Sequence, residues 1–64
     1  MIRVNGDDDE FLGETVEAML VRRHVEPRGV AVAIDAEIVP RSSWSTTIVG
    51  DGVSVEIVTA AAGG

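Results

Sequence analysis

The chain contains no cysteine. No disulfide framework can staple it, and no thiolate can hold a metal. Aromatic residues are almost absent as well. Phe11 and Trp44 are the only two, so valine, isoleucine and alanine must fill most of the core. No apolar run approaches the ~20 residues needed to cross a bilayer, and no membrane partner is expected. Met1-Ile2-Arg3-Val4 reads as a strand rather than a secretory leader, which makes the cytoplasm the expected location. Basic residues are few: five Lys+Arg against eleven Asp+Glu leave a net charge of −6. Such a balance argues against nucleic acid, whose phosphates attract basic surfaces. It suits solubility and a basic protein partner.

What remains is one small domain of 64 residues, 45% hydrophobic. A chain of this size buries only about 60% of the surface its unfolded form exposes, so a single core must suffice.

Ile2 and Val4 share one face of a first strand. Asn5-Gly6 is a strong hairpin signal, because both residues tolerate positive φ. The acidic run Asp7-Asp8-Asp9-Glu10 extends that turn, and Glu10-Phe11-Leu12-Gly13 is the expected return strand. The run lacks the spaced ligands and central glycine of a calcium loop, so no metal site is expected. Thr15 is a plausible N-cap for a short helix of about 8–10 residues with Val16, Met19 and Leu20 on its apolar face. Glu14 and Glu17 near its start and Arg22, Arg23 and His24 near its end suit the helix dipole. His24 has no evident partner for general-base work and reads as a helix-end cation. Pro27 lies where a stop is expected.

Val30–Ile34 is a buried-strand run, and Glu37–Val39 pairs back before Pro40 ends it. Trp44 anchors the polar connection that follows, and Ile48 and Val49 plug the end of the core. After the Gly50-Asp51-Gly52 turn, Val53, Val55 and Ile57 alternate inward against Ser54 and Glu56. The order β-β-α-β-β-β predicts an α+β fold. One helix covers one face of a mixed four-to-five-stranded sheet, the β-grasp (ubiquitin-like) arrangement, with the first and last strands parallel at the centre. Residues 1–58 form the domain and residues 59–64 a flexible tail.

That tail, Thr59-Ala60-Ala61-Ala62-Gly63-Gly64, is small and uncharged. Fully extended it reaches ~20 Å, enough to carry the Gly64 carboxylate down a narrow channel into a partner's active site.

Three segments together resemble the ThiS family, the ubiquitin-like sulfur carrier proteins of thiamin (thiazole) biosynthesis. They are Ile2-Arg-Val-Asn-Gly6; Pro27-Arg-Gly-Val-Ala-Val-Ala33 with Ile38-Val-Pro-Arg-Ser42 and Trp44; and Asp51-Gly52 with Val55-Glu-Ile-Val-Thr-Ala60, ending in Gly63-Gly64. They cover nearly the whole chain in the family's order, although Ala60-Ala61-Ala62 stands where the family is often richer in glycine.

The resemblance implies a chemistry. A ThiF-type adenylating enzyme, using ATP and magnesium, activates the Gly64 carboxylate as an acyl-adenylate. A persulfide donor displaces AMP, a thiocarboxylate results, and thiazole synthase takes the sulfur. The carrier itself then has no catalytic residue, no metal and no bound cofactor, and is a monomer when free. Gly64 carries the sulfur, while Gly63, Ala62 and Ala61 are read by the partners' channels. Val58, Ile48 and Arg41 are candidate docking residues. Two alternatives share much of this pattern. A carrier of the molybdopterin synthase type has the same tail chemistry, and a non-catalytic β-grasp interaction module uses a sheet edge for strand addition.

Overall fold

The computed structural model describes residues 1–59. Its elements are β1 (Ile2–Val4), β2 (Asp7–Asp9), α1 (Val16–Arg22), β3 (Val30–Ile34), β4 (Glu37–Val39), a 3-10 turn (Arg41–Ser43) and β5 (Ser54–Thr59). The strands form one mixed sheet in the order β2-β1-β5-β3-β4. β5 runs parallel to β1 and antiparallel to β3, while the two hairpins supply the outer strands. This is the expected β-grasp architecture, with the last strand at the centre. The expected flexible tail lies, from Ala60 onward, outside the described residues.

The first hairpin differs from expectation. Asn5 (φ 51°) and Gly6 (φ 87°) both adopt the left-handed conformation, which makes a two-residue turn whose twist matches that of the flanking strands. Val4 therefore pairs directly with Asp7, and the acidic run is itself the return strand, in place of Glu10–Gly13. Aspartate is a poor strand former, but the turn sets the register and overrides that preference. Residues 10–14 are irregular.

The Thr15 cap forms as expected. Its Oγ1 accepts from the Ala18 N–H at 3.1 Å and its carbonyl accepts from Met19 N–H at 2.9 Å. Val16 and Glu17 donate across the layer to the carbonyls of Thr47 and Trp44. The N–H groups of Val16, Glu17 and Ala18, left open at the first three helical positions, thus all have partners. The helix has seven residues. It stops before Pro27 because His24, at φ 58°, turns left-handed. His24 N–H then reaches Val21 O and Val25 N–H reaches Leu20 O, closing the end in a Schellman motif.

The core comprises Ile2, Val4, Val16, Met19, Leu20, Val32, Trp44, Val49 and Val55. Trp44 is its packing pin, with its indole N–H donating to Val39 O at 3.0 Å. Of the expected pair of plugs only Val49 is buried, whereas Ile48 is 56% exposed. Ile48 bridges Thr15 in an extended segment, where successive side chains point to opposite sides. Among the described residues, no buried side-chain nitrogen or oxygen lacks a hydrogen-bond partner.

Candidate functional site at the root of the tail

Alternation along β5 sends Val55 and Ile57 toward the helix and leaves Glu56 and Val58 on the opposite, solvent-facing side. Register adds to that outer face. Val58 lies opposite Ala31, Glu56 opposite Ala33, and Ala33 opposite Ile38. The two alanines on β3 are too short to shield their neighbours, so Val58 and Ile38 (69% exposed) stand clear of the sheet. Ile38, Ala33, Ala31 and Val58 thus make an apolar strip that leads toward the point where the tail departs.

Thr59 faces Val30 in the last rung of the β3–β5 ladder, which puts the tail's root beside the Pro27–Gly29 turn. Arg41 belongs to the same end of the molecule. Its guanidinium lies 4.7 Å from the centre of the Trp44 ring and donates to Pro27 O at 2.8 Å. It borders an open groove of about 690 Å³ lined also by Ala18, Val21, Val25 and Pro27. Two expected docking residues, Val58 and Arg41, therefore flank the tail root. Ile48 does not join them. It lies away from the tail root, in a hollow lined also by Ile38, Gly50 and Val53. Gly64, Gly63, Ala62 and Ala61 lie outside the described residues.

On the opposite edge of β5, Asn5 does something its place in a turn signal does not reveal. Its Oδ1 accepts from Ile57 N–H at 2.8 Å, and its Nδ2 donates to Ile57 O at 3.2 Å. The partners are 52 positions apart in sequence. Ile38 also escaped sequence reasoning, because Glu37-Ile-Val39 offers two apolar residues of similar type and nothing to say which faces in.

The acidic run is engaged with arginine. Asp9 accepts from Arg22 at 3.1 Å and Arg23 at 2.7 Å, and Arg22 also bonds Glu14 at 2.8 Å. These contacts, the Arg22 bond first, then the Glu10 N–H and Arg23, hold the Asp9 carboxyl at about 2 against its usual 3.8. Arg22 is in turn held above its usual range, chiefly by Glu14 and then Asp9. Among the described residues, no group of three or more His, Asp or Glu side chains is placed to hold a metal ion. No described helix is long and apolar enough to cross a membrane.

A mixed sheet gripping one helix, with its central last strand opening onto a tail, defines a ubiquitin-like β-grasp protein. The model of the ThiS family matches residues 2–64. The chain belongs to that family. It is 38% identical over 52 residues to the sulfur carrier protein ThiS of Escherichia coli K12, covering 81% of this chain and 79% of that one. It is 44% identical over 62 residues to a thiazole synthase of Paramagnetospirillum magneticum AMB-1. That match covers 95% of this chain but 19% of the relative's length. The crystal structure of a thiamine biosynthesis protein (ThiS) from Geobacter metallireducens superposes with a TM-score of 0.82 at 27% identity, covering 98% of this chain and 97% of that one.

Proposed function

We propose that this chain carries sulfur for thiazole formation in thiamin biosynthesis, with the Gly64 carboxyl group as the point of attachment. The observation that carries the reading is a family match running to residue 64, on a domain whose last described residue, Thr59, leaves the sheet centre beside an apolar strip. Likeness to a thiazole synthase over most of this chain points to the sulfur's destination.

The chemistry follows from the carboxylate. An anionic, resonance-stabilised carboxylate is a poor electrophile, so a ThiF-type enzyme must first exchange one oxygen's charge for a leaving group. ATP and magnesium on that enzyme give the Gly64 acyl-adenylate and pyrophosphate. The terminal sulfur of a persulfide attacks the acyl carbon, AMP departs with the electron pair of the C–O bond, and an acyl disulfide forms. A thiol then cleaves the S–S bond, leaving the thiocarboxylate and a new disulfide. Thiazole synthase takes the sulfur and the carboxylate returns. Every acid, base and metal in this sequence belongs to the partners, in keeping with a carrier in the cytoplasm rather than an enzyme. The chain supplies a deliverable carbonyl and its docking surface: Val58 and Arg41 near the tail root, Ile38 farther along the apolar strip, and Ala61, Ala62 and Gly63 small enough for two channels.

The test is intact mass after incubation with ATP, magnesium, a persulfide donor and the activating enzyme. An oxygen-for-sulfur exchange that needs ATP and Gly64, and that a thiol-selective alkylating agent traps, supports the carrier. Transfer from that product to thiazole synthase supports the pathway, whereas transfer only to a pterin acceptor assigns the chain to the molybdopterin type. No exchange with the folded protein overturns the reading.

A further inference from the structure

We infer that Asn5 is a positioning residue for the tail: its side-chain amide stands in for the missing backbone of β1 and fixes the place where β5 releases the chain. The inference rests on the carrier reading and adds to it the residue that aims the reacting end.

The ladder between β1 and β5 is parallel. Arg3 N–H donates to Val53 O at 3.0 Å and Asn5 N–H to Val55 O at 2.9 Å. Continued by the same rule, the Asn5 carbonyl would accept from Ile57 N–H, and the N–H of residue 7 would donate to Ile57 O. The chain cannot continue, because it turns at Asn5-Gly6. The Asn5 side chain makes both bonds instead, with Oδ1 in the role of the carbonyl and Nδ2 in the role of the N–H. A primary amide has the same donor and acceptor groups as a peptide unit, so the substitution is chemically like for like.

Two properties make asparagine the residue for this place. It tolerates the positive φ of 51° that the turn demands, and it reaches the neighbouring strand with both a donor and an acceptor. Glycine would satisfy the first requirement alone. Aspartate would keep the acceptor but face the Ile57 carbonyl with an oxygen.

The clamp lies two residues before Thr59 on the edge of β5 that β1 has abandoned. Beyond it, β3 alone holds the strand, through Ala31 opposite Val58 and Val30 opposite Thr59. Without the clamp, the last rungs of β5 open from that side, and the tail departs from a wider range of positions. A reacting carbonyl delivered at the end of a tether loses rate when its root wanders.

The experiment compares wild type with Asn5→Gly, which preserves the turn, and Asn5→Asp, which preserves only the acceptor. Amide hydrogen exchange is measured residue by residue, and loading by the activating enzyme is measured as kcat and KM. For Asn5→Gly the expected result is faster exchange at Ile57 and Val58 with unchanged protection at Val32 and Met19. Its kcat for thiocarboxylate formation falls on the order of tenfold, and KM changes little because the apolar strip is intact. Asn5→Asp shows the same local pattern at smaller size, and serves if the glycine variant fails to fold. Exchange and loading equal to wild type in the folded variants, or exchange raised evenly over the whole sheet, overturn the inference. Should wild type itself form no thiocarboxylate, the carrier reading fails, and the exchange pattern still decides whether Asn5 holds the end of β5.

Discussion

Asp9 and Arg22, thirteen residues apart, meet at 3.1 Å and join the return strand to the last turn of the helix. Arg22 simultaneously grips Glu14, so one guanidinium ties together both ends of the irregular segment between β2 and α1. The sign of the pH dependence follows from Asp9. Its folded carboxyl titrates at about 2, and its usual value is 3.8. A depressed folded value means that the contribution is fully present above pH 3.8 and is lost as pH falls toward about 2. Urea midpoints followed by Trp44 fluorescence should therefore show wild type exceeding Asp9→Asn near neutrality. The gap should close across that acid window. A gap that widens on acidification would contradict the pairing.

Thr15 supports the helix from two sides, through its own cap bond and through the segment that returns to pair with it at Ile48. Thr15→Ala removes only the Oγ1 bond to Ala18. The expected cost is ~1 kcal/mol. Thr15→Ser restores most of it, and equal urea midpoints for the alanine variant and wild type would show that the cap contributes nothing.

Much of this fold is legible in the chain. Val53, Val55 and Ile57 alternate against Ser54 and Glu56, and such a period admits only a half-buried strand. Thr15 before Val16, Met19 and Leu20 marks a helix start in the same local way. Asp7–Asp9 was not legible as a strand, because its pairing is dictated by the tightness of the preceding turn rather than by its own composition. The opposite facings of Ile48 and Val49 depend on the Thr15 bridge, a contact across 33 positions. Asn5 reads correctly as a turn residue, and its second role depends on a strand at the far end of the sequence. The tail chemistry was readable only by resemblance, since the terminal residues carry no reactive side chain.

The outer face separates Val58 from Ile48, two of the three docking residues that sequence alone had grouped. Val58 stands beside the tail root, whereas Ile38, at the far end of the apolar strip, shares a hollow with Ile48. Val58→Glu and Ile38→Glu should each lower kcat/KM for loading about tenfold or more, mainly through KM. Stability should change by about 0.5 kcal/mol or less, because both side chains are already exposed. Ile48→Glu, outside the β4–β3–β5 ladder that carries the strip, should have the smallest effect of the three. Reversal of that order would move the docking surface away from the strip.

Removing Gly63 and Gly64 separates the carrier from a plain interaction module. Among the described residues, the core and the hydrogen bonds that hold β5 all lie before residue 60. The truncated protein should therefore keep its urea midpoint to within about 0.5 kcal/mol of stability. It should also keep its binding to the activating enzyme through the Val58–Ile38 strip, with Kd raised only by whatever the last two residues contribute. Thiocarboxylate formation should vanish in the truncated chain if the new end, Ala62, cannot reach the nucleotide. A shorter tether with a methyl side chain at its tip meets both obstacles, since a channel shaped for glycine excludes a Cβ. Restoring length without the bare backbone, by Gly63→Val and Gly64→Val, distinguishes them. If reach alone matters, that variant loads. If the channel reads the absence of side chains, it binds, folds and stays unloaded, which is the outcome expected of a tail whose chemistry belongs to its partners.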